Sequence, residues 1–359
     1  MSRYRIAFVG AGAFGFALAI HLDRSRGDQV EVRLHDDDRD LLDLLARGEI
    51  HPRIAGDLRL PESASVFPDL DETLDGADLV VLAVPGRAVP LAAAGLAGRI
   101  PADVPLLNVS KALEMESGRR ISEIVAEVRG ENAPYATLAG GMIAAELARG
   151  RRLGATIAMR DKHQAASLAR ILEGPGLYVE TSDDVIGVEY AAAFKSVLVI
   201  GVGLLEGLGC VFGTRTLFLS LASEEAQELA VSLGAQRQTF SMVSQCWGND
   251  LLLSAFGSTR NRAFGVAVTE ALREDRKAGG SGREQETSAG QWKDRRRELI
   301  LEVRREMEAQ RGTVEGVFTA MVLPQLATRA GLEIPRLRAV VGLLEGRLDP
   351  DEAADLMLV

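Results

Sequence analysis

Three groups of residues in this chain have the types and spacing to do chemistry. Gly10-Ala11-Gly12-Ala13-Phe14-Gly15 follows the apolar run RIAFV and precedes FGFALAIHL. A turn of this kind lets Gly10 reverse the chain and Gly12 bring backbone N–H groups close to a pyrophosphate, while Gly15 lets helix and strand pack tightly. The order strand, glycine triplet, helix and second strand VEVRLHD is the one that dinucleotide binding requires, although a glycine turn in an empty domain of the same type would look alike. The second strand ends in His35-Asp36-Asp37-Asp38, where Asp36 or Asp37 could accept hydrogen bonds from an adenosine ribose and repel the extra phosphate of NADP. NAD is therefore favoured over NADP, which is not excluded. The same acids could instead cap a helix, and Arg33 stands near enough to offer a phosphate contact.

The second and third groups are lysines. Lys195 lies in EYAAAFKSVLVIGVG, with apolar or small neighbours on every helical face. Burial there penalises the ammonium and brings its proton into the range useful for acid–base work at neutral pH. A lysine that snorkels out or pairs with an acid is the alternative. Lys111, in LLNVSKALE, follows an apolar strand, and the carboxyl ends of parallel strands are where such sheets bind ligands.

The elements that must position these groups are legible from periodicity. From Arg5 to about Glu180 the runs RIAFVG, VEVRLH, ADLVVLAVP, PLLNVS, ATLAG, GATIAM and LYVE alternate with helical patterns. They predict an α/β domain over 1–183, a Rossmann-type doubly wound sheet, parallel or mostly so, with helices on both faces. Beyond about Asp184 the apolar spacing is helical, which predicts an all-α domain over 184–359. Residues 270–311 form a charged insert whose AGGSG reads as a mobile loop and whose Leu299, Val303 and Met307 line one face of a solvated helix.

Composition narrows the function classes. In 359 residues, 47% are hydrophobic, and 41 Lys+Arg against 51 Asp+Glu give a net charge of −10, so a large core is available and a broad grip on nucleic acid is not. Two cysteines and four scattered histidines offer no metal site or disulfide framework. With no secretory signal, and with Lys195 and Glu206 interrupting the most apolar stretch, the chain is expected to be cytoplasmic, without a membrane span.

With these residues in view, the chain resembles the NAD(P)-dependent glycerol-3-phosphate dehydrogenase family along nearly its whole length. GAGAFGFALA is similar to the family's dinucleotide loop, ADLVVLAVPG to its next strand and turn, VSKALE to its Ser-Lys segment, and VIGVEYAAAFKSVLVIGVGLLEGLG to the segment of its catalytic lysine. GNDLLLSAFGSTRNRAFG and TVEGVFTA are similar to its substrate and cofactor segments. The resemblance implies hydride transfer between NAD(H) and sn-glycerol 3-phosphate or dihydroxyacetone phosphate, in glycerolipid precursor supply, by a homodimer. It implies that Lys195 moves the proton at the substrate oxygen and that Lys111 contacts substrate and cofactor. Gly140, Thr259, Arg260 and Asn261 would hold the phosphorylated substrate. Gly10, Gly12, Ala13, Phe14, Gly15, Asp36, Pro85, Ala144, Arg260 and Glu315 would hold the dinucleotide.

Departures are local. Met142 stands where the family has a hydroxyl, and a thioether cannot donate a hydrogen bond. Counting back from Arg260-Asn261 puts Asn249 at the family's aspartate, whereas the Asp-Leu pair points to Asp250. These departures leave open a dehydrogenase of the same fold acting on another phosphorylated or 2-keto compound, or a non-catalytic dinucleotide sensor.

Overall fold

The structure, a computed structural model, describes residues 3–54, 56–283 and 289–359. The chain divides into two compact units: Met1–Glu114, Arg119–Glu189 and Ser241–Asp250 in the first, Met115–Gly118, Tyr190–Phe240 and Leu251–Val359 in the second. In the first, strands and helices alternate as β1 (Tyr4–Val9), α1 (Ala13–Arg26), β2 (Val30–His35), α2 (Arg39–Ala46), β3 (Ala64–Val66), α3 (Leu70–Leu74), β4 (Leu79–Leu82) and α4 (Val89–Gly95). They continue as β5 (Leu106–Asn108), α5 (Ile121–Arg129), β6 (Tyr135–Gly141), α6 (Ala144–Ala148), β7 (Leu153–Met159), α7 (Lys162–Leu172) and β8 (Leu177–Ser182).

The eight strands form one sheet in the order β3-β2-β1-β4-β5-β6-β7-β8, with every neighbouring pair parallel except β6–β7. Alternation along β1 shows why both faces are covered. Ile6 and Phe8 enter one apolar cluster, which includes Phe16 and Leu22 of α1, while Ala7 and Val9 enter another with Val89 of α4 and Ile124 of α5. All four residues of β4 are buried, as befits a strand covered on both sides. The link from β6 to β7 contains only the five-residue α6, too little for the crossover that a parallel pair demands, so β7 runs antiparallel. The edge strand β3, absent from the sequence reading, is only Ala-Ser-Val, with no buried residue to mark it.

Helix α8 (Val185–Gly207) leaves the sheet unit and enters the second. Near its start, Glu189 is buried and accepts hydrogen bonds from the Ser122 backbone N–H, the Ser122 hydroxyl and the Tyr135 hydroxyl at 2.9, 2.5 and 2.6 Å. The helix is continuous through Lys195 and Glu206, as a buried helix would be, but the two charges do not shorten its apolar length below that of a membrane span, contrary to expectation. It is long and apolar enough to cross a membrane, but 94% of its apolar window is buried inside the protein, which makes it a core helix.

The rest of the second unit contains α9 (Phe212–Ser232), α10 (Asp250–Phe256, whose first residue belongs to the first unit), α11 (Arg260–Arg283), α12 (Ala289–Arg311), α13 (Glu315–Ala330), α14 (Pro335–Leu344) and α15 (Pro350–Leu358). No strand occurs among its described residues. Small residues let α8 and α11 meet at backbone distance. A Cβ on Gly203 would fall 2.1 Å from the Arg262 carbonyl oxygen, and one on Gly265 2.3 Å from that of Ile200. The insert differs from its sequence reading: AGGSG is not a loop, because α11 stays helical through Arg283. Helix α12 packs along α11, and such support offsets the roughly 1 kcal/mol that each helical glycine costs. Leu299, Val303 and Met307 are half-buried on α12, as its period suggested, with Ile300 buried beside them.

Candidate active site

The β1–α1 turn in the first unit is closed by backbone. Gly10 donates to the His35 carbonyl at 2.8 Å, and Ala83 donates to the Val9 carbonyl at 2.8 Å. Gly10 has φ +108°, and a Cβ there would fall 2.5 Å from the Ala83 carbonyl oxygen. A Cβ on Gly15 would fall 2.3 Å from the Gly10 carbonyl oxygen. Packing thus dictates both residues. Gly12 is different, since a Cβ there meets nothing within 4 Å. No side chain caps α1 and its first turn holds no acid, so its free N–H groups and positive dipole end suit an anion. The open face at Gly12, with half-buried Ala13 and Phe14 beside it, fits a dinucleotide pyrophosphate.

The three acids after β2 separate into distinct roles. Asp36 accepts from Ala11 N at 2.8 Å through one oxygen and from Asp38 N at 3.0 Å through the other, tying the strand exit to the glycine turn. Asp37 is fully exposed. Asp38 caps α2 by accepting from Leu41 N at 3.1 Å and pairs with Arg53. A carboxylate oxygen has two lone pairs, so Asp36 keeps acceptor capacity for a ribose. Arg33 is committed to Glu31 at 2.7 Å and to the carbonyls of Glu72 and Asp75. Pro85 starts a tight turn after β4, two residues beyond the Ala83 that packs on Gly10.

At the end of β5 a second arrangement forms. The Asn108 side chain, fully buried, accepts from Ser110 N at 3.0 Å and donates to the Ser110 carbonyl at 3.1 Å and the Thr137 hydroxyl at 3.3 Å. The turn so fixed projects Lys111, whose Nζ donates to the Gly140 carbonyl at 2.7 Å and to Asp250 Oδ2 at 2.6 Å. Asp250 is 2% exposed. A Cβ on Gly140 would fall 2.4 Å from the Gly154 carbonyl oxygen, so this strand position has no room for a side chain. Ala144 opens α6 and supplies no polar side chain. Met142 is buried in the apolar cluster of the first unit.

Asn249 does not join Lys111; its amide donates to Gln245 Oε1 at 2.9 Å. The one-residue ambiguity has a structural counterpart, for Gln245–Asn249 is a π turn, which takes up one residue more than an α turn. The carboxylate that meets a lysine here is that of Asp250. Cys246 and Trp247 are buried in the same turn, and burial pushes the Cys246 thiol up to about 11, leaving it inert at neutral pH.

In the second unit Lys195 is 6% exposed, and its Nζ donates to the buried Ser254 hydroxyl at 2.9 Å. The Thr259 hydroxyl donates to the Ser254 carbonyl at 2.7 Å, linking the start of α11 to α10. Arg260 opens α11, exposed, with its guanidinium beside Gly312. Asn261 Oδ1 accepts from Gly316 N at 3.2 Å. A Cβ on Gly316 would lie 2.8 Å from the Ser196 carbonyl oxygen, so the start of α13, with Glu315, is pressed on α8 beside Lys195's neighbour. The sequence reading missed Ser254, Asn108 and Thr137. A polar residue closing an apolar strand was the signal available for Asn108.

Comparison with known proteins shows the family. A model of the NAD-dependent glycerol-3-phosphate dehydrogenase N-terminus matches residues 5–165, and one of the C-terminus of the same enzymes matches 184–355. The chain is 32% identical to glycerol-3-phosphate dehydrogenase [NAD(P)+] of Dechloromonas aromatica (strain RCB), over 99% of this chain and 97% of that protein. It is 29% identical to the chloroplastic glycerol-3-phosphate dehydrogenase [NAD(+)] of Oryza sativa subsp. japonica, over 97% of this chain and 72% of that one. The crystal structure of glycerol-3-phosphate dehydrogenase from Coxiella burnetii is similar with a TM-score of 0.82 at 25% identity, covering 98% of each chain. With its glycine turn, its paired and buried lysines and both halves matched, the chain belongs to the NAD-dependent glycerol-3-phosphate dehydrogenase family.

Proposed function

We propose that this enzyme interconverts sn-glycerol 3-phosphate and dihydroxyacetone phosphate with NAD(H). The observation that carries the reading is the lysine in the core: an amine held inside an apolar helix at a fixed hydroxyl, 2.9 Å from Ser254. When bound, the nicotinamide supplies or accepts the hydride. As a carbonyl is reduced, negative charge grows on its oxygen and must be stabilised and protonated there. Lys195 does both in this proposal, giving its proton to the oxygen in reduction and taking it back in oxidation, with Ser254 fixing the direction of the amine. Lys111, oriented by Asp250 and the Gly140 carbonyl, contacts substrate and cofactor. Arg260 and Asn261, with the Thr259 hydroxyl, hold the phosphate, for which a planar guanidinium offers two parallel donors. Gly10 to Gly15 cradle the pyrophosphate, with Pro85, Ala144, Arg260 and Glu315 as further cofactor contacts.

Asp36 and the exposed Asp37 support NAD over NADP, because carboxylates at a ribose repel a 2′-phosphate. Burial of Met142 in the core supports the phosphorylated triose over a remodelled pocket. Two free thiols, Cys210 and Cys246, suit a reducing cytoplasm. The homodimer implied by the family resemblance belongs to the same reading and is checked by light scattering. The test of function follows NADH absorbance with dihydroxyacetone phosphate and with a panel of 2-keto acids, each repeated with NADPH. Turnover of the phosphorylated triose with NADH, lost in Lys195→Ala, is expected. Turnover of a 2-keto acid alone would overturn the substrate, and a preference for NADPH would overturn the ribose argument.

A further inference from the structure

A buried histidine that neither the reaction nor the sequence reading uses bonds to the glycine turn. His51 lies in the loop after α2, 1% exposed, its ring tilted against Phe16 of α1 with centroids 4.5 Å apart. Nδ1 is 3.1 Å from the backbone N–H of Arg53 and must accept from it. Nε2 is 3.0 Å from the carbonyl oxygen of Ala11 and must donate to it. One acceptor and one donor define a single neutral tautomer. Ala11 is thereby held at both ends of its peptide groups, its N–H by Asp36 at 2.8 Å and its C=O by His51.

We infer that His51 is a positioning residue for the dinucleotide: as the neutral Nε2–H tautomer it fixes the Ala11–Gly12 peptide and so aims the N–H groups of the turn at the pyrophosphate. This rests on the pyrophosphate lying at Gly12, as proposed above. A second proton on the ring would sit on Nδ1 against the Arg53 N–H, so the charged ring cannot keep both bonds. The groups facing the ring act in opposite senses, since Asp36 favours the charged form and Arg53 opposes it, while burial is the largest effect and holds the pKa below 6.5. The required form is therefore the one present at neutral pH. Acidification removes it, and NADH affinity falls with it.

The experiment measures the NADH dissociation constant of the full-length enzyme between pH 8 and 5 for wild type, His51→Gln and His51→Ala, with steady-state kinetics alongside. Glutamine restores an amide donor at the Nε2 position but does not titrate. Wild type should weaken on the acid side by up to about tenfold per pH unit, and H51Q should remove that slope. H51A should raise KM for NADH about fivefold at every pH, the equivalent of one hydrogen bond of about 1 kcal/mol, with kcat at saturating NADH retained. Nitrogen-15 NMR of wild type at neutral pH should show Nε2 protonated and Nδ1 bare, a readout that survives if a variant fails to fold. An H51Q slope equal to that of wild type, a ring protonated at Nδ1, or unchanged NADH affinity in H51A would overturn the inference while leaving the cofactor reading intact. Failure of wild type to bind NADH at any pH would instead overturn the cofactor reading, and this inference with it.

Discussion

At the β1–α1 turn the backbone itself holds the geometry, whereas at the meeting of α8, α10, α11 and α13 side chains do. In the turn, Gly10 and Gly15 are fixed by contacts with carbonyl oxygens at 2.5 and 2.3 Å from their would-be Cβ atoms, and the ligand-facing groups are peptide N–H donors. In the helical cluster, the groups proposed to work on substrate are side chains: the Lys195 amine, the Ser254 and Thr259 hydroxyls and the Asn261 amide oxygen, tied to their neighbours by hydrogen bonds. Glycines there serve only to bring the helices together. The difference teaches where each half is fragile. Where packing dictates a glycine the backbone site fails with its fold, whereas a side-chain site can fail while its fold survives.

The largest expected effect is in the helical cluster. Lys195→Ala should lower kcat by about 10²–10⁴-fold, the range for loss of a positioned proton donor, and leave NADH binding in place. A kcat within threefold of wild type would remove Lys195 from the chemistry. The lysine of the sheet unit sharpens the contrast. Asp250→Asn takes the charge from a hydrogen bond to Lys111 made at 2.6 Å, and charged hydrogen bonds are worth about 1.5–3 kcal/mol. A drop in kcat/KM of roughly ten- to a hundredfold is expected. Asn249→Asp, whose side chain points to Gln245, should not restore it in the double variant, and full restoration would assign the carboxylate position to residue 249.

Within the turn, two glycines separate fold from binding. Gly10→Ala carries a residue with φ +108° into a carbonyl, and strain of this kind costs about 1–3 kcal/mol before the clash is counted. A clear fall in Tm is expected. Gly12 has φ −62° and open space at its Cβ, so Gly12→Ala should keep Tm and weaken NADH about tenfold, or ~1.4 kcal/mol. Equal effects of the two on Tm would break the distinction.

Much of this architecture was legible in the sequence. The strands β1, β2 and β4 to β8 are apolar runs that announce themselves, and Lys195 stands out as a charged side chain with apolar or small neighbours on every helical face. What the sequence could not show was partners. Ser254 lies 59 residues from Lys195 and Asp250 lies 139 from Lys111, so only tertiary folding brings them together. The Asn249–Asp250 ambiguity persisted because a π turn shifts the count by one, a backbone choice with no residue signature. AGGSG reads as a loop because three glycines weaken a helix locally, whereas the packing of α12 on α11 acts over a longer span. His51, a lone histidine in a loop, carried no sign of its burial.

The smallest effect concerns folding. His21 is buried, donates from Nε2 to the Leu172 carbonyl at 2.7 Å, and has its pKa lowered below 6.5 chiefly by burial. A histidine depressed in the folded state contributes stability that is complete above the unfolded value and is lost as pH falls through the folded one. Stability should therefore decline between pH 7 and 5 by no more than about 1.4 kcal/mol per pH unit from this residue. His21→Gln should flatten that part of the curve in chemical denaturation, and an unchanged slope would show that the ring does not titrate with folding.

The proton assigned to Lys195 can be tested by chemical rescue. Lys195→Ala would be assayed with NADH and dihydroxyacetone phosphate while small alkylamines of graded pKa are added. The account predicts that amines restore turnover in a saturable manner, with rates that follow amine acidity once size is allowed for, and that they leave the wild-type rate unchanged. Near-wild-type turnover by the variant without any amine would contradict it.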